Sequence, residues 1–203
     1  NALYQQRPTP DEGAVLKKEW FGEYDLKEIL LWQDARHFFF DTAYTKEEKN
    51  DPTAGIAYIK RGADFYILEG ISVWKDFSEQ TQFIKDFTAR NGYSRQSKLR
   101  VEPKATGKSV VQVLKAATAL NIFEATPPKE SKQSRVNSVV PTVQAGRVLL
   151  PKGMAWVADF LAECVGFPNS THDDKVDCLC GMILSENEQR RQFRRPSVTF
   201  DNL

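Results

Sequence analysis

Asp41 directly follows His37-Phe38-Phe39-Phe40, so an acid closes a short apolar run. Glu102 stands between Val101 and Pro103 at the end of a second such run. A third acidic group, His172-Asp173-Asp174-Lys175-Val176-Asp177, precedes a stretch with helical apolar spacing. Carboxylates gathered at one place repel one another and need cations between them. Hard divalent ions with oxygen ligands, Mg²⁺ or Mn²⁺, suit such a cluster. Two of them about 3.5–4 Å apart can activate a water and stabilise the leaving oxygen of a phosphodiester. Each acid also has a structural alternative: a turn acid at Asp41, a strand-end salt bridge at Glu102, and helix N-terminal acids at Asp173, Asp174 and Asp177. On a helical wheel Val176, Leu179, Cys180, Ile183 and Leu184 form the buried stripe. Asp173 extends that stripe, Asp177 flanks it, and Asp174 lies further round. A buried acid needs a partner or a metal, so periodicity alone favours Asp173 or Asp177.

These acids must be positioned by the elements around them. Residues 36–41 read as a buried central strand. Residues 54–60 and 65–74 read as two more strands, joined by the tight connection Arg61-Gly62-Ala63-Asp64. Asp76-Phe77-Ser78-Glu79 opens a helix that stops at Asn91-Gly92. Then come a fourth strand at 98–103, a helix from Thr106 or Gly107 to 120, a fifth strand at 121–125 and a short strand at 147–150. Helices at 153–165 and 171–187 follow. A short helix at 23–32 precedes all of these, and residues 127–146 are polar, basic and without a clear period. Hairpins followed by βαβ units make a mixed sheet with helices on its faces. This order resembles the ribonuclease H-like fold, an α/β class in which the first and fourth strands are neighbours. Asp41 and Glu102 are then expected at adjoining strand ends, with the acids of the last helix closing the cluster.

Composition removes several classes of function. The 203 residues are 41% hydrophobic and 27% charged, which fits one folded domain and not a disordered chain. No apolar run approaches the ~20 residues that span a bilayer. The start at Asn1 carries neither Met nor a signal pattern, so the chain reads as a cytosolic fragment of something longer. The net charge is only +1, but residues 11–51 carry 11 acids against 6 bases, and residues 94–135 carry 9 bases against 3 acids. The basic region suits a polyanion. Cys164, Cys178 and Cys180 have no partner cysteine pair or histidine cluster for zinc and read as small buried residues of a reducing compartment. The four tryptophans read as core.

Several runs, taken in order, carry a resemblance: Phe40-Asp41-Thr42-Ala43, Asn50-Asp51-Pro52-Thr53-Ala54, Val101-Glu102-Pro103-Lys104-Ala105-Thr106-Gly107, Gly146-Arg147-Val148-Leu149-Leu150-Pro151, and Phe167-Pro168 with the His172–Asp177 acids. Together they resemble the nuclease domain of the large terminase subunit of tailed bacteriophages. Tyr4-Gln5-Gln6-Arg7-Pro8 resembles the segment leaving the ATPase motor of that protein. The resemblance implies a metal-dependent endonuclease that cuts concatemeric double-stranded DNA during genome packaging, with two Mg²⁺ or Mn²⁺ ions. It implies Asp41, Glu102 and Asp174 as catalytic and metal-ligating acids, with Asp173 beside them as a further ligand. It also implies partners: the motor domain, the small terminase subunit and the portal, in the host cytoplasm and away from membranes. Residues 1–35 would be an entry segment from the missing motor, 36–187 the nuclease domain, and 188–203 an Arg-rich tail that frays.

Other runs mislead. Ala105-Thr106-Gly107-Lys108-Ser109 shares the ending of an ATP-binding phosphate loop, but that motif needs glycine five residues before Gly107, where Glu102 stands. No ATP site is expected in this chain. His37 is the only histidine besides His172, too few for a multi-histidine metal site. His172 therefore reads as a cap or supporting group and Lys175 as a solvated helix residue. DNA gripped without sequence preference needs phosphate contacts, for which Lys104, Lys108, Lys129, Lys132, Arg135 and Arg147 are the candidates. Two rival readings remain: another nuclease of the same fold, such as a junction resolvase or transposase, and a non-catalytic DNA- or portal-docking module.

Overall fold

The computed structural model describes residues 14–29, 31–42, 52–103 and 107–194. The Tyr4–Pro8 run, Asn50-Asp51, Lys104 and the tail from 195 onward lie outside them. Strand β1 is Gly22–Tyr24, followed by a single helical turn α1, Leu26–Ile29. Then come β2 Arg36–Asp41, β3 Thr53–Arg61, β4 Asp64–Val73, α2 Phe77–Arg90, β5 Leu99–Val101 and α3 Gly107–Ala117. The chain continues through β6 Ile122–Glu124, α4 Lys132–Gln144, β7 Val148–Pro151, α5 Trp156–Gly166 and α6 Asp174–Arg194. The seven strands lie in the order β1-β7-β4-β3-β2-β5-β6. β3 runs antiparallel to β2 and β4, and every other pairing is parallel.

The Phe38-Phe39-Phe40 run exists because β2 is covered on both faces. Phe38 and Phe40 pack with Ile84 and Phe87 of α2 and Val110, Val111 and Leu114 of α3. Phe39 points the other way, into the cluster of Val139 of α4, Phe160 of α5 and Val176, Leu179 and Ile183 of α6. α2 opens with a capping box: Asp76 accepts from the Glu79 N–H at 2.9 Å, and Glu79 accepts from the Asp76 N–H.

Four elements depart from the sequence expectation. The expected helix over 23–32 is β1 plus one turn; Tyr24 is pinned in the sheet by its hydroxyl, which donates to the Ile67 carbonyl at 2.9 Å. The segment without a clear period is α4, started by Ser131, whose side chain accepts from the Ser134 N–H. Val136, Val139 and Val143 are its buried stripe, which the surrounding serines and Pro141 obscure. α6 begins at Asp174 rather than at 171, and it continues past 187 because the following Glu, Gln and Arg residues are strong helix formers.

α6 lies very close to β2. A Cβ at Gly181 would overlap the ring of Phe39, which is fully buried. Gly181→Ala is therefore expected to destabilise the domain by about 1–3 kcal/mol, although alanine favours a helix by about 1 kcal/mol over glycine. Urea denaturation measures the difference, and stability at or above wild type would show that Phe39 can step aside.

Candidate active site

β2 and β5 run side by side in parallel, with Phe40 opposite Val101. The Glu102 N–H donates to the Phe40 carbonyl at 2.9 Å, extending the pairing one residue beyond β5. Asp41 and Glu102 thus leave adjoining strand ends at the same edge of the sheet. Glu102 is buried and Asp41 partly exposed. Asp174 opens α6 and is buried, while Asp173, just before it, is half-buried; the Asp177 N–H donates to the Asp173 carbonyl at 2.9 Å. One turn along, the Cys178 thiol donates to the Phe39 carbonyl at 3.3 Å. Burial pushes this thiol well above its ordinary pKa, and the negative charges of Asp41, Glu102 and Asp177 push it further. Cys178 therefore feels acids from β2, β5 and α6 at once. It is a packed, protonated residue beneath the site; Cys164 and Cys180 are likewise free and buried, and burial raises Cys180 to about 12.

Two cations from α4 stand among these acids. Arg135 Nη2 is 2.6 Å from Asp177 Oδ1, and Arg135 Nη1 is 4.0 Å from Glu102 Oε1, with all three side chains buried. Lys132 Nζ is 2.6 Å from Asp173 Oδ1 and 2.9 Å from Asp177 Oδ2. Partial burial works against the Lys132 charge, but the two carboxylates outweigh it and hold the ammonium above its usual pKa. The sequence suggests loop positions and phosphate contacts for these residues; the structure puts both on a helix turned toward α6. Among the described residues, no group of three His, Cys, Asp or Glu side chains is arranged to hold a metal ion. In this conformation Lys132 and Arg135 balance the negative charge.

The other candidates separate. Lys129 lines a cavity of about 210 Å³ together with Glu102 and Arg135, so of the candidate acids it borders Glu102. Lys108 is exposed in the first turn of α3. Arg147 does not join the site: its carbonyl accepts from the Phe65 N–H at the start of β4, whereas the end of β4 is the one that shares an edge with Asp41. Lys175 is buried rather than solvated, with Nζ 3.1 Å from Glu163 Oε2. Glu163 also accepts from the Lys175 backbone N–H at 2.5 Å. The cap on α6 thus comes from α5. His172 instead stands edge-on to Trp74, with ring centroids 5.5 Å apart. Glu163 has no local signal in the sequence; its partner is 12 residues away and on another helix.

A mixed sheet in this order, with helices on both faces and acids leaving the ends of two adjoining interior strands, is the ribonuclease H-like architecture. The family model described as the terminase RNaseH-like domain matches residues 39–186. The chain belongs to that family: it is a terminase nuclease domain. The large terminase nuclease of thermophilic phage G20c, solved with bound magnesium, is similar at 14% identity and TM-score 0.61, over 86% of this chain and 98% of that one. The human cytomegalovirus terminase nuclease domain matches at 14% identity and TM-score 0.58, over 85% and 94%. The large terminase nuclease domain of bacteriophage SPP1, solved with bound Mn, matches at 13% identity and TM-score 0.57, over 83% of this chain and 94% of that one. No curated protein sequence matches.

Proposed function

We propose that this domain is a divalent-metal-dependent endonuclease that cuts double-stranded DNA when a concatemeric viral genome is packaged. The observation that carries it is the pairing of Asp41 and Glu102 on adjoining strand ends, with Arg135 joining Glu102 to Asp177 in the first turn of α6. The donor set fits hard ions, since Asp41, Glu102, Asp173 and Asp174 all offer carboxylate oxygens. Asp41, Glu102 and Asp174 would hold two Mg²⁺ or Mn²⁺ ions, with Asp173 as a further ligand. When bound, the ions supply the activation of water and the neutralisation of the departing 3′ oxygen. The chain itself supplies rigid placement. β2 and β5 fix Asp41 and Glu102 through the sheet, and the close approach of Gly181 to Phe39 sets the depth of α6. Lys108 and Lys129 offer phosphate contacts, and Lys104, outside the described residues, is a third candidate.

The larger assembly follows from the same reading. In a whole large subunit, residues 1–35 would lead in from an ATPase motor, with β1 within them adding a strand to the sheet of the 36–187 nuclease, and the tail over 188–203 would start as the last turns of α6. The small subunit and portal would be partners in the host cytoplasm. Purified protein is expected to nick and linearise plasmid with Mn²⁺ or Mg²⁺ and to leave it intact in EDTA. Equal cutting in chelator would overturn the metal-dependent mechanism. A plain linear duplex serves as the second substrate, because a junction resolvase of the same fold would spare it.

A further inference from the structure

Lys132 and Arg135 lie one turn apart on α4, yet they hold the acids differently. Arg135 is buried and fixed, a planar guanidinium on Asp177 Oδ1. Lys132 sits at the rim, with its side chain 36% exposed, and its compact ammonium on a flexible stem spans Asp173 and Asp177. Between them the two cations occupy both oxygens of Asp177, and Lys132 alone also holds Asp173. Asp173 is one of the oxygens a divalent ion would use, so an entering ion meets a like charge within hydrogen-bond reach of its ligand.

We propose that Lys132 is a displaceable counter-ion of the metal site, one that couples metal loading to the grip on DNA. This rests on the metal-dependent reading above. In the metal-free chain the ammonium neutralises Asp173 and Asp177. A divalent ion takes over that neutralisation, and the released ammonium, still tethered at the rim beside the acids, meets a backbone phosphate of the substrate. Ion and lysine compete for the Asp173 carboxylate, so removing the lysine must strengthen ion binding. The lysine is also occupied until the ion arrives, so its contribution to DNA binding must appear only with metal.

The test needs no turnover. Mn²⁺ binding is measured by calorimetry without DNA, for wild type, Lys132→Gln and Lys132→Arg. Binding of a short fluorescent duplex is then measured in Ca²⁺ and in EDTA. Lys132→Gln is expected to bind Mn²⁺ about ten-fold more tightly, the scale of one charge removed near a partly exposed site. Lys132→Arg keeps the charge and should stay within about two-fold of wild type. With DNA, wild type and Lys132→Gln should bind alike in EDTA, while in Ca²⁺ the variant should fall about five-fold behind. Thermal melting in EDTA checks that each variant folds. Unchanged or weaker Mn²⁺ binding by folded Lys132→Gln would overturn the proposal, as would an equal loss of DNA affinity in EDTA. If no form of the protein binds Mn²⁺, the metal-dependent reading itself fails and this inference falls with it.

Discussion

Asp41→Asn is expected to lower plasmid cleavage in Mn²⁺ by at least about a thousand-fold, as loss of a transition-state charge partner does, while the domain melts at or slightly above the wild-type temperature in EDTA. Asparagine preserves the shape of the side chain, and β2 is held by Phe38, Phe39 and Phe40 in the two cores and by its pairing to β3 and β5. The substitution removes the negative charge and replaces one carboxylate oxygen with an amide NH2 of the same size. That charge is central to the site: it leaves the strand end adjoining Glu102, and with Glu102 and Asp177 it acts on the buried Cys178 thiol. Without metal, deleting one of several clustered acids relieves repulsion. With metal, it would delete one of the proposed ligands. Loss of cleavage with unchanged melting is the signature of a ligand. If Asp41→Asn melted well below wild type and still cut DNA, Asp41 would be a structural acid.

The strands that are buried on both faces and end in acids are legible in the sequence, because those features are local. Phe38-Phe39-Phe40-Asp41 announces β2, and the Asp76–Glu79 capping box announces α2 within four residues. α4 is hidden because its valine stripe is interrupted by serines and Pro141. β1 is hidden because three residues become a strand only through pairing with β7, more than a hundred positions later. The charges of the site are the least legible part. The wheel marks Asp173 and Asp177 as acids that need a partner, and the structure supplies Lys132 and Arg135, 41 and 42 residues earlier. The basic balance of residues 94–135 reads as a surface for a polyanion. Yet Arg100 and Arg135 are two of those bases, and both point inward to carboxylates of α6. Counting charges along a segment cannot separate a buried ion pair from a phosphate contact, because burial is decided by helices elsewhere in the chain.

Arg100→Ala is expected to destabilise the domain by about 3–5 kcal/mol, the usual range for removing one partner of a buried charge pair. Arg100 lies in β5, almost fully buried, with Nη1 2.8 Å from Glu186 Oε1 and 3.0 Å from the Tyr58 hydroxyl. The Tyr58 hydroxyl in turn donates to the same Glu186 oxygen at 2.8 Å. Three elements, β3, β5 and α6, are thus joined at one polar point inside an apolar layer. Alanine leaves the Glu186 carboxylate facing that layer without its cation and opens the space of a long side chain. Glu186 is 13% exposed, so water can reach it in part, and the lower half of the range is the better expectation. For a domain of this size that lowers the melting temperature by roughly 10 °C. The companion variant Arg100→Met with Glu186→Leu removes both charges and should recover much of the loss, because a paired buried charge is costly to break but not costly to replace whole. A loss below about 1 kcal/mol for Arg100→Ala would mean that the pair is solvated like a surface bridge. The sheet would then hold the C-terminal half of α6 through Tyr58 and its apolar neighbours alone.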